Sequence, residues 1–388
     1  MKAIFWVAAA VIFYTYFGYA AWLWIWSRLS PRPVLRGWNE PLVSIVMVVR
    51  NEEETLPRKL SNLAALDYPA DRLEFVVTSD GSTDRTAQIL SEASRDKRFH
   101  ILLSPEPKGK ACRLNEALSV AKGEIAVFVD ARQQIAQDAL RLLLENFADP
   151  AVGCVSGELM LGDADSGEAE ERMGIYWGIE KKVRVLESAS GSVVGATGAL
   201  YAARRSLLAP IPPDTILDDV LLPLQISRQG ARVVFDGRAR AWDDPDLGAE
   251  KEFRRKVRTL TGNYQLLQIA PWVLSGANPL RFRFVSHKLL RLAVPFALAA
   301  LLVASAAISG PLYRAAFVLQ LAFYALSLFA VSRPAVSNPA LSNPALSHRW
   351  RGPFARVANA ALVLIVLNTA AVVAFANFVS GRKEVWVR

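Results

Sequence analysis

Apolar and polar positions fall into three textures along the 388 residues. From Ile4 to Trp26 the chain is apolar almost without interruption and carries no charge. A helix that crosses a bilayer core needs about 20 such residues. A cleaved leader would have a shorter apolar stretch and a small-residue cleavage site. The run therefore predicts a membrane anchor over residues 1–30. It closes on Trp22, Trp24 and Trp26, an interfacial aromatic belt, with Arg28, Arg32 and Arg36 just beyond. That arginine excess predicts an outside N-terminus and a cytoplasmic continuation. Pro31, Pro33 and Pro41 then predict a stiff linker.

From Leu42 short apolar runs alternate with amphipathic ones. The pattern predicts strands over Leu42–Val49, Phe75–Thr78, His100–Leu103, Ile125–Val129 and Val233–Phe235. It predicts helices over Thr86–Ser94, Ala111–Ala121, Glu168–Glu187 and Glu252–Gln268, with a further helix inside Thr215–Gly230. Alternation of this kind predicts βαβ units and a parallel sheet, here an α/β, Rossmann-like domain over residues 40–270. Trp242-Asp243-Asp244 reads as a loop.

After His287 the chain is apolar again. Leu289–Ile308, Leu312–Val331 and Val357–Val379 each approach spanning length, so residues 271–388 are expected to hold about three further spans. Trp272, Phe282 and Phe284, set among Arg281 and Arg283, predict an interfacial segment before the first of these. A pentapeptide tandem from Pro334 to His348 reads as a low-complexity loop without chemistry. Arg349, Arg351 and Arg356 suit a cytoplasmic loop, which leaves Arg382, Lys383 and Arg388 outside, against the bias. Either one apolar segment is re-entrant or the tail departs from the rule.

Composition agrees with a membrane protein: 52 % of residues are hydrophobic, ten are Trp, and the mean hydropathy is positive. The net charge of +9 suits cytoplasmic loops against anionic lipid headgroups. Its basic residues are spread and not interleaved with exposed aromatics, so no nucleic-acid partner is expected. Cys112 and Cys154 have no metal or redox spacing and are expected to be reduced thiols. No Gly-x-Gly-x-x-Gly or Walker motif stands at a strand end, which argues against a dinucleotide dehydrogenase and a P-loop NTPase.

Candidate chemistry sits at the strand ends. The run Phe75–Thr78 leads into Ser79-Asp80-Gly81-Ser82-Thr83-Asp84. Open α/β sheets bind ligands beyond the carboxyl ends of their strands, so Asp80 stands where a nucleotide is expected, whereas Asp84 reads as a turn and helix cap. Two further acids follow in order, Asp130 after Ile125–Val129 and Asp219 within Ile216-Leu217-Asp218-Asp219-Val220. Asp218 and Asp219 also suit a helix N-terminus.

The order Asp80, Asp130, Asp219, followed by a basic helix and apolar spans, resembles the membrane-bound family 2 glycosyltransferases of the GT-A class, which include the cellulose, chitin, hyaluronan and poly-N-acetylglucosamine synthases. Val43–Val49 with Asn51 and Glu52 is similar to the family's first strand and its Asn-Glu turn, which implies that these two residues border the base. Asp80 is implied to face the uracil or ribose, and Lys110 to lie near the nucleotide. Asp130-Ala131-Arg132 stands where the family has Asp-x-Asp. That implies a divalent cation, Mg²⁺ or Mn²⁺, at Asp130, although Arg132 cannot ligate one. Either Asp130 supplies the one protein carboxylate, or Arg132 replaces part of the metal's charge. The retained cation is the expectation.

Asp219 is implied to be the general base, as direct displacement at an anomeric carbon requires on the acceptor side, with Asp218 beside it. Gly195, Thr197 and Gly198, followed by Tyr201, Arg204 and Arg205, resemble the segment lining the acceptor and donor sugar. Arg255 and Arg258 occupy the place of Gln-x-x-Arg-Trp and lie three apart on one helix face, suited to a diphosphate. The motif's Gln and Trp are absent.

The resemblance implies an inverting transferase that takes glucose or N-acetylglucosamine from a UDP-sugar. The acceptor would be a polysaccharide or lipid at the cytoplasmic face of a bacterial inner membrane. Membrane lipids and an export or accessory membrane protein are the implied partners. Single-sugar transfer to a ceramide-type lipid and a non-catalytic membrane scaffold are the alternatives.

Overall fold

The computed structural model describes residues 1–162, 175–243, 249–331 and 353–381. Residues 168–174 of the helix expected over Glu168–Glu187, the pentapeptide tandem, Asp244 and the basic tail from Arg382 lie outside the described residues. A membrane helix α1 (Lys2–Leu29) leads through the proline linker into an α/β domain. Its strands are β1 (Val43–Val49), β2 (Leu73–Asp80), β3 (Phe99–Ser104), β4 (Ile125–Val129), β5 (Gln134–Ile135), β6 (Val152–Leu161), β7 (Leu200–Arg204) and β8 (Arg232–Asp243). The helices between them are α2 (Leu56–Ala64), α3 (Thr86–Ala93), α4 (Lys110–Val120), α5 (Ala139–Glu145), α6 (Ile175–Ala189) and α7 (Asp218–Arg228). Then come the long α8 (Ala249–Ile269) and α9 (Arg281–Ala307), α10 (Pro311–Val331) and α11 (Pro353–Val379).

The sheet runs β3-β2-β1-β4-β7-β6-β8-β5. Its first half is parallel as expected, with β1 between β2 and β4. Both faces are covered, so β1 is apolar but for Ser44, whose buried hydroxyl donates to Glu74 Oε1 at 2.5 Å. Val43, Ile45 and Met47 face one core with α2 and α5, while Val46 faces another with α4 and α7. The second half corrects the expectation of a parallel sheet. β7 runs antiparallel to both β4 and β6, and β5 antiparallel to β8. The predicted strand Val233–Phe235 is the start of a strand that continues to Asp243. Trp242 and Asp243, expected in a loop, pair with Met160 and Leu161 of β6.

The parallel register aligns the carboxyl ends. Val49 stands opposite Ser79, and Met47 opposite Val129, so Asn51, Asp80 and Asp130 emerge at one edge. The membrane side is built onto the domain and not merely tethered to it. Arg32 N donates to Ala189 O at 2.8 Å, and Arg232 donates to Arg32 O at 2.7 Å.

Four described helices are long and apolar enough to cross a membrane: α1, α9, α10 and the Ala360–Val379 part of α11. The segment around Phe282, expected to lie flat on the bilayer, is the first turns of α9. Arg283 is buried there, donating to the carbonyls of Glu187 (2.6 Å), Ser192 (2.8 Å) and Ser190 (2.9 Å). Those carbonyls lie in the last turn of α6 and in the segment just after it, where free carbonyls need donors, and the contact ties the start of α9 to the domain.

Helix α8 connects the two halves of the molecule. On one side Val257 and Tyr264 pack on α11 with Ala370, Ala374 and Phe378. On the other, Gly262 lies so close to the segment before α7 that a Cβ would stand 2.5 Å from Leu217 Cγ. Gln265 straps the same segment, accepting from Ile216 N at 2.9 Å and donating to Asp214 O at 2.7 Å. Gly262→Ala is expected to cost about 1–3 kcal/mol through overpacking, seen as a lower unfolding temperature in lipid. An unchanged transition would mean that α8 has room to move.

Candidate functional site

The loops after β1 and β2 are laced together by short polar side chains. Asn51 holds the left-handed conformation at φ 54°, which asparagine tolerates. Its Oδ1 accepts from Thr83 N at 2.8 Å, and its own N donates to Ser82 Oγ at 3.2 Å. Glu52 N donates to Thr86 Oγ1 at 2.8 Å, and Glu53 N to Asp84 Oδ2 at 3.2 Å. Asp84 also accepts from Thr86 N at 3.0 Å and so caps α3.

Asp80 is buried, and its carboxylate is engaged by its own chain. It accepts from Lys108 N (2.7 Å), Gly109 N (3.0 Å) and Arg113 Nε (2.9 Å). It thereby holds the 105–109 loop against the strand end. Gly81 makes this closure possible, since its φ is +63° and a Cβ there would stand 2.6 Å from Pro107 N.

Lys110 opens α4 and reaches across to the other acids. Its Nζ lies 3.0 Å from Asp130 Oδ1 and 3.5 Å from Asp218 Oδ2. Burial opposes its charge, but Asp130, Asp218 and Asp219 outweigh it and raise its pKa. Asp218 and Asp219 start α7, and Asp218 is only 4 % exposed. Burial and the neighbouring Asp218 push Asp219 up to about 6, against the pull of Lys110. Its Oδ1 is buried without a hydrogen-bond partner.

The 195–199 segment packs directly on these acids. Ala196 N donates to Asp219 O at 2.7 Å. A Cβ on Gly195 would stand 3.0 Å from Val220 Cγ2, and one on Gly198 would stand 3.2 Å from Asp219 Oδ2 and 3.8 Å from Asp130 Oδ2. The glycines therefore leave open the space between two carboxylates. Thr197 is turned away, its amide on Ser156 Oγ at 2.9 Å and its hydroxyl taken by Arg184 of α6. Arg204 and Arg205, expected near the sugars, donate instead to backbone carbonyls of Val152 (2.8 Å) and Gly123 (2.7 Å). Both contacts tie the sheet to its neighbouring loops. Tyr201 stacks on Phe128 with ring centroids 4.4 Å apart, and its buried hydroxyl has no partner. Burial, with Asp218 and Asp219 nearby, holds that phenol well above its ordinary pKa.

Beneath the loop after β4, Lys59 is fully buried and donates to Gln133 O at 2.7 Å. Burial lowers it to about 7, with Asp130 acting in the opposite sense. Arg132 is not free, because it pairs with Asp243 at 2.5 Å. Arg255 also reaches Asp243 (3.5 Å) and pairs with Glu252 (2.9 Å). Arg254 and Lys256 are matched by Glu250 and Glu252. Arg258 differs, since its Nε is buried without a partner.

No group of three His, Cys, Asp or Glu among the described residues forms a ready metal cage. Asp130 suits a cation held by one carboxylate and completed by phosphate and water, the habit of Mg²⁺. Its side chain is 41 % exposed, and its Oδ2 lies across the Gly198 gap from Asp219.

Lys59, Arg184 and Asp243 carry no motif. A lysine on an amphipathic helix and an acid near a strand end are the only signals the sequence offers for Lys59 and Asp243. Asp80→Ala would take the acceptor from Arg113 Nε and from the amides of Lys108 and Gly109, while Arg113 Nη1 keeps Glu116 at 2.7 Å, and is expected to cost about 1–3 kcal/mol. The readouts are the unfolding temperature and earlier proteolysis within 104–110. Unchanged values would reduce Asp80 to an ordinary turn residue.

Residues 44–210 match the family model described as Glycosyl transferase family 2, a range that includes Asp80 and Asp130 but ends before Asp219. The poly-beta-1,6-N-acetyl-D-glucosamine synthase of Staphylococcus aureus (strain COL) is 23 % identical over 269 residues, covering 68 % of this chain and 63 % of that protein. The synthase of the same description from Staphylococcus epidermidis is 25 % identical over 229 residues, covering 58 % of this chain and 55 % of that protein. The matches thus span less than two thirds of these relatives. A mannosyltransferase from Pyrobaculum calidifontis, solved with GDP-Man and Mn²⁺, superposes with a TM-score of 0.69 at 24 % identity, over 98 % of this chain and 99 % of that one. The fold it shares with this chain is GT-A-like.

Proposed function

Because this chain carries a family 2 glycosyltransferase domain on a GT-A-like frame, we propose that it moves a sugar from a nucleotide-activated donor to an acceptor hydroxyl at the membrane, with inversion. The observation that carries this reading is Asp219. Its carboxylate has an unpartnered oxygen and a pKa pushed up to about 6, and it faces Asp130 across the gap left by Gly198.

In the reaction we propose, the acceptor oxygen bonds to C1 of the donor sugar as the bond from C1 to the diphosphate oxygen breaks. The hydroxyl proton passes to Asp219, and the diphosphate departs with the electron pair. A base with a pKa near the working pH is the effective kind. Burial and Asp218 provide that value, while Lys110 offsets the repulsion among the acids. Lys110, Arg255 and Arg258 meet the leaving-group charge. A divalent cation bound at Asp130 would add to that neutralisation. Asn51, Glu52 and the loop held by Asp80 form the seat for the base.

The donor is read as UDP-N-acetylglucosamine, with UDP-glucose next. Similarity to synthases named for poly-beta-1,6-N-acetyl-D-glucosamine supports the first. The acceptor is a polysaccharide or lipid-linked sugar. The arginines after α1 favour a cytoplasmic site at a bacterial inner membrane. One observation favours a second reading, single-sugar transfer to a lipid. Thr259 stands where the processive synthases have Trp, and its hydroxyl donates back to Arg255 O at 3.0 Å, so no aromatic platform extends there for a growing polymer. Product length under saturating donor separates the two, since a ladder of products excludes single transfer.

Asp219→Asn is expected to reduce transfer by about 10²–10⁴-fold while leaving UDP binding intact. Transfer near the wild-type rate would remove Asp219 as the base. The wild-type rate is expected to be flat above pH 6 and to fall about tenfold per unit below it, because only the ionised carboxylate accepts the proton. A rate that rises on acidification contradicts this. Release of the nucleoside diphosphate by the protein in lipid, UDP from UDP-N-acetylglucosamine or UDP-glucose and GDP from the control GDP-mannose, with Mg²⁺, Mn²⁺ or EDTA, tests donor and cation together. UDP-sugar turnover abolished by EDTA is the expected outcome. Silence with every donor, with UDP still bound, would favour a non-catalytic scaffold.

A further inference from the structure

One buried carboxylate at the edge of the cleft takes no part in the chemistry above. Asp243 is the last described residue of β8 and is 1 % exposed. Its Oδ2 accepts from Arg132 Nη2 at 2.5 Å, Gln133 Nε2 at 3.2 Å and Arg255 Nη1 at 3.5 Å. Its Oδ1 is buried and unpartnered. The donors come from two elements that are distant in sequence, the loop after β4 and helix α8. They meet on a single acid.

The two arginines are anchored differently from surface ion pairs. Each guanidinium reaches a fully buried carboxylate and keeps part of its surface open, 30 % for Arg132 and 37 % for Arg255, the second also pairing through Nη2 with Glu252 at 2.9 Å. A guanidinium carries five N–H donors in a rigid fork. One edge on Asp243 therefore leaves donors for another anion. Without the acid, two like charges this close would repel and swing apart. Arg132 follows Asp130 by two residues, at the edge where Lys110 also stands.

We propose that Asp243 is a positioning residue that holds Arg132 and Arg255 together as a two-guanidinium seat for the diphosphate of the donor. This rests on the reading of the site as one for a nucleoside diphosphate sugar. The arginine in the Asp-x-Asp position then has a defined role, with its cation facing the cleft and the carboxylate standing behind it. Arg forks match phosphate oxygens in pairs, whereas the nucleoside end of the donor gains nothing from them. Asp243 therefore acts on the diphosphate and not on the base.

The test uses the full chain in lipid nanodiscs, titrated with UDP, GDP and uridine in EDTA and in Mg²⁺. Asp243→Asn is expected to weaken UDP by about tenfold and to change uridine by less than about twofold. Added to the double variant Arg132→Gln/Arg255→Gln, it should weaken UDP by no more than about twofold further, because the residues it acts through are gone. UDP affinity unchanged in Asp243→Asn overturns the proposal. So does a parallel loss of UDP and uridine, which marks a folding role, and so does full additivity in the triple variant. Should Asp243→Asn not fold, Arg132→Gln and Arg255→Gln singly must each weaken UDP and spare uridine; if neither does, there is no seat. A wild-type protein that binds neither UDP nor GDP removes the donor reading and this inference together. Wild-type binding of UDP with Asp243→Asn unaltered removes this inference alone.

Discussion

The site depends first on the ammonium of Lys110. Asp130, Asp218 and Asp219 arrive from two distant parts of the chain, and three carboxylates in one cleft repel. Lys110 lies within 3.0 Å of the first and 3.5 Å of the second. It offsets that repulsion without saturating the group, since Asp219 keeps an unpartnered oxygen. The arrangement stores charge in an unbalanced form. A fully neutralised set of acids would be more stable and chemically inert.

The remaining contacts fix where that charge sits. Asp80, Gly81 and Arg113 set the loop that leads into Lys110. Gly195 and Gly198 let backbone approach the acids closely. Gln265 and Gly262 seat α7 from behind. Because Gln265 and Gly262 belong to α8, which also packs on the last membrane helix, the acids are positioned partly by the spans. The same helix carries Arg255 and Arg258, so both charges of the cleft, the acidic and the basic, are referred to one element.

Much of the first half of the fold was legible because β4, most of β1 and the Phe75–Val77 centre of β2 are short apolar runs between clear turn signals. The second half was not. β6 is interrupted by Gly153, Ser156, Gly157 and the buried Glu158, which pairs with Lys181. β8 carries Arg238 and Arg240, which conceal its alternation. Antiparallel insertion of β7 leaves no local signature. Acids at strand ends were visible as candidates through their order, but what each one holds was not. Asp80 spends its carboxylate on amides about 28 residues away, and Arg132 meets an acid 111 residues later. Such partners depend on tertiary packing, which spacing does not encode.

Where the domain meets the membrane, a polar network is sealed from solvent. Both ring nitrogens of His287 in α9 lie 2.9 Å from carboxylate oxygens of Glu180 and Glu187 in α6. Tyr19 of α1 donates to the same Glu187 oxygen at 2.5 Å. Buried groups of this kind are costly to separate, so the first and second spans and the domain move as one body. The cleft is consequently held at a fixed distance from those two spans. On the transferase reading proposed above, an acceptor held by its tail in the bilayer would need a stem of matching reach, and the rigid joint would then act as a gauge of acceptor length.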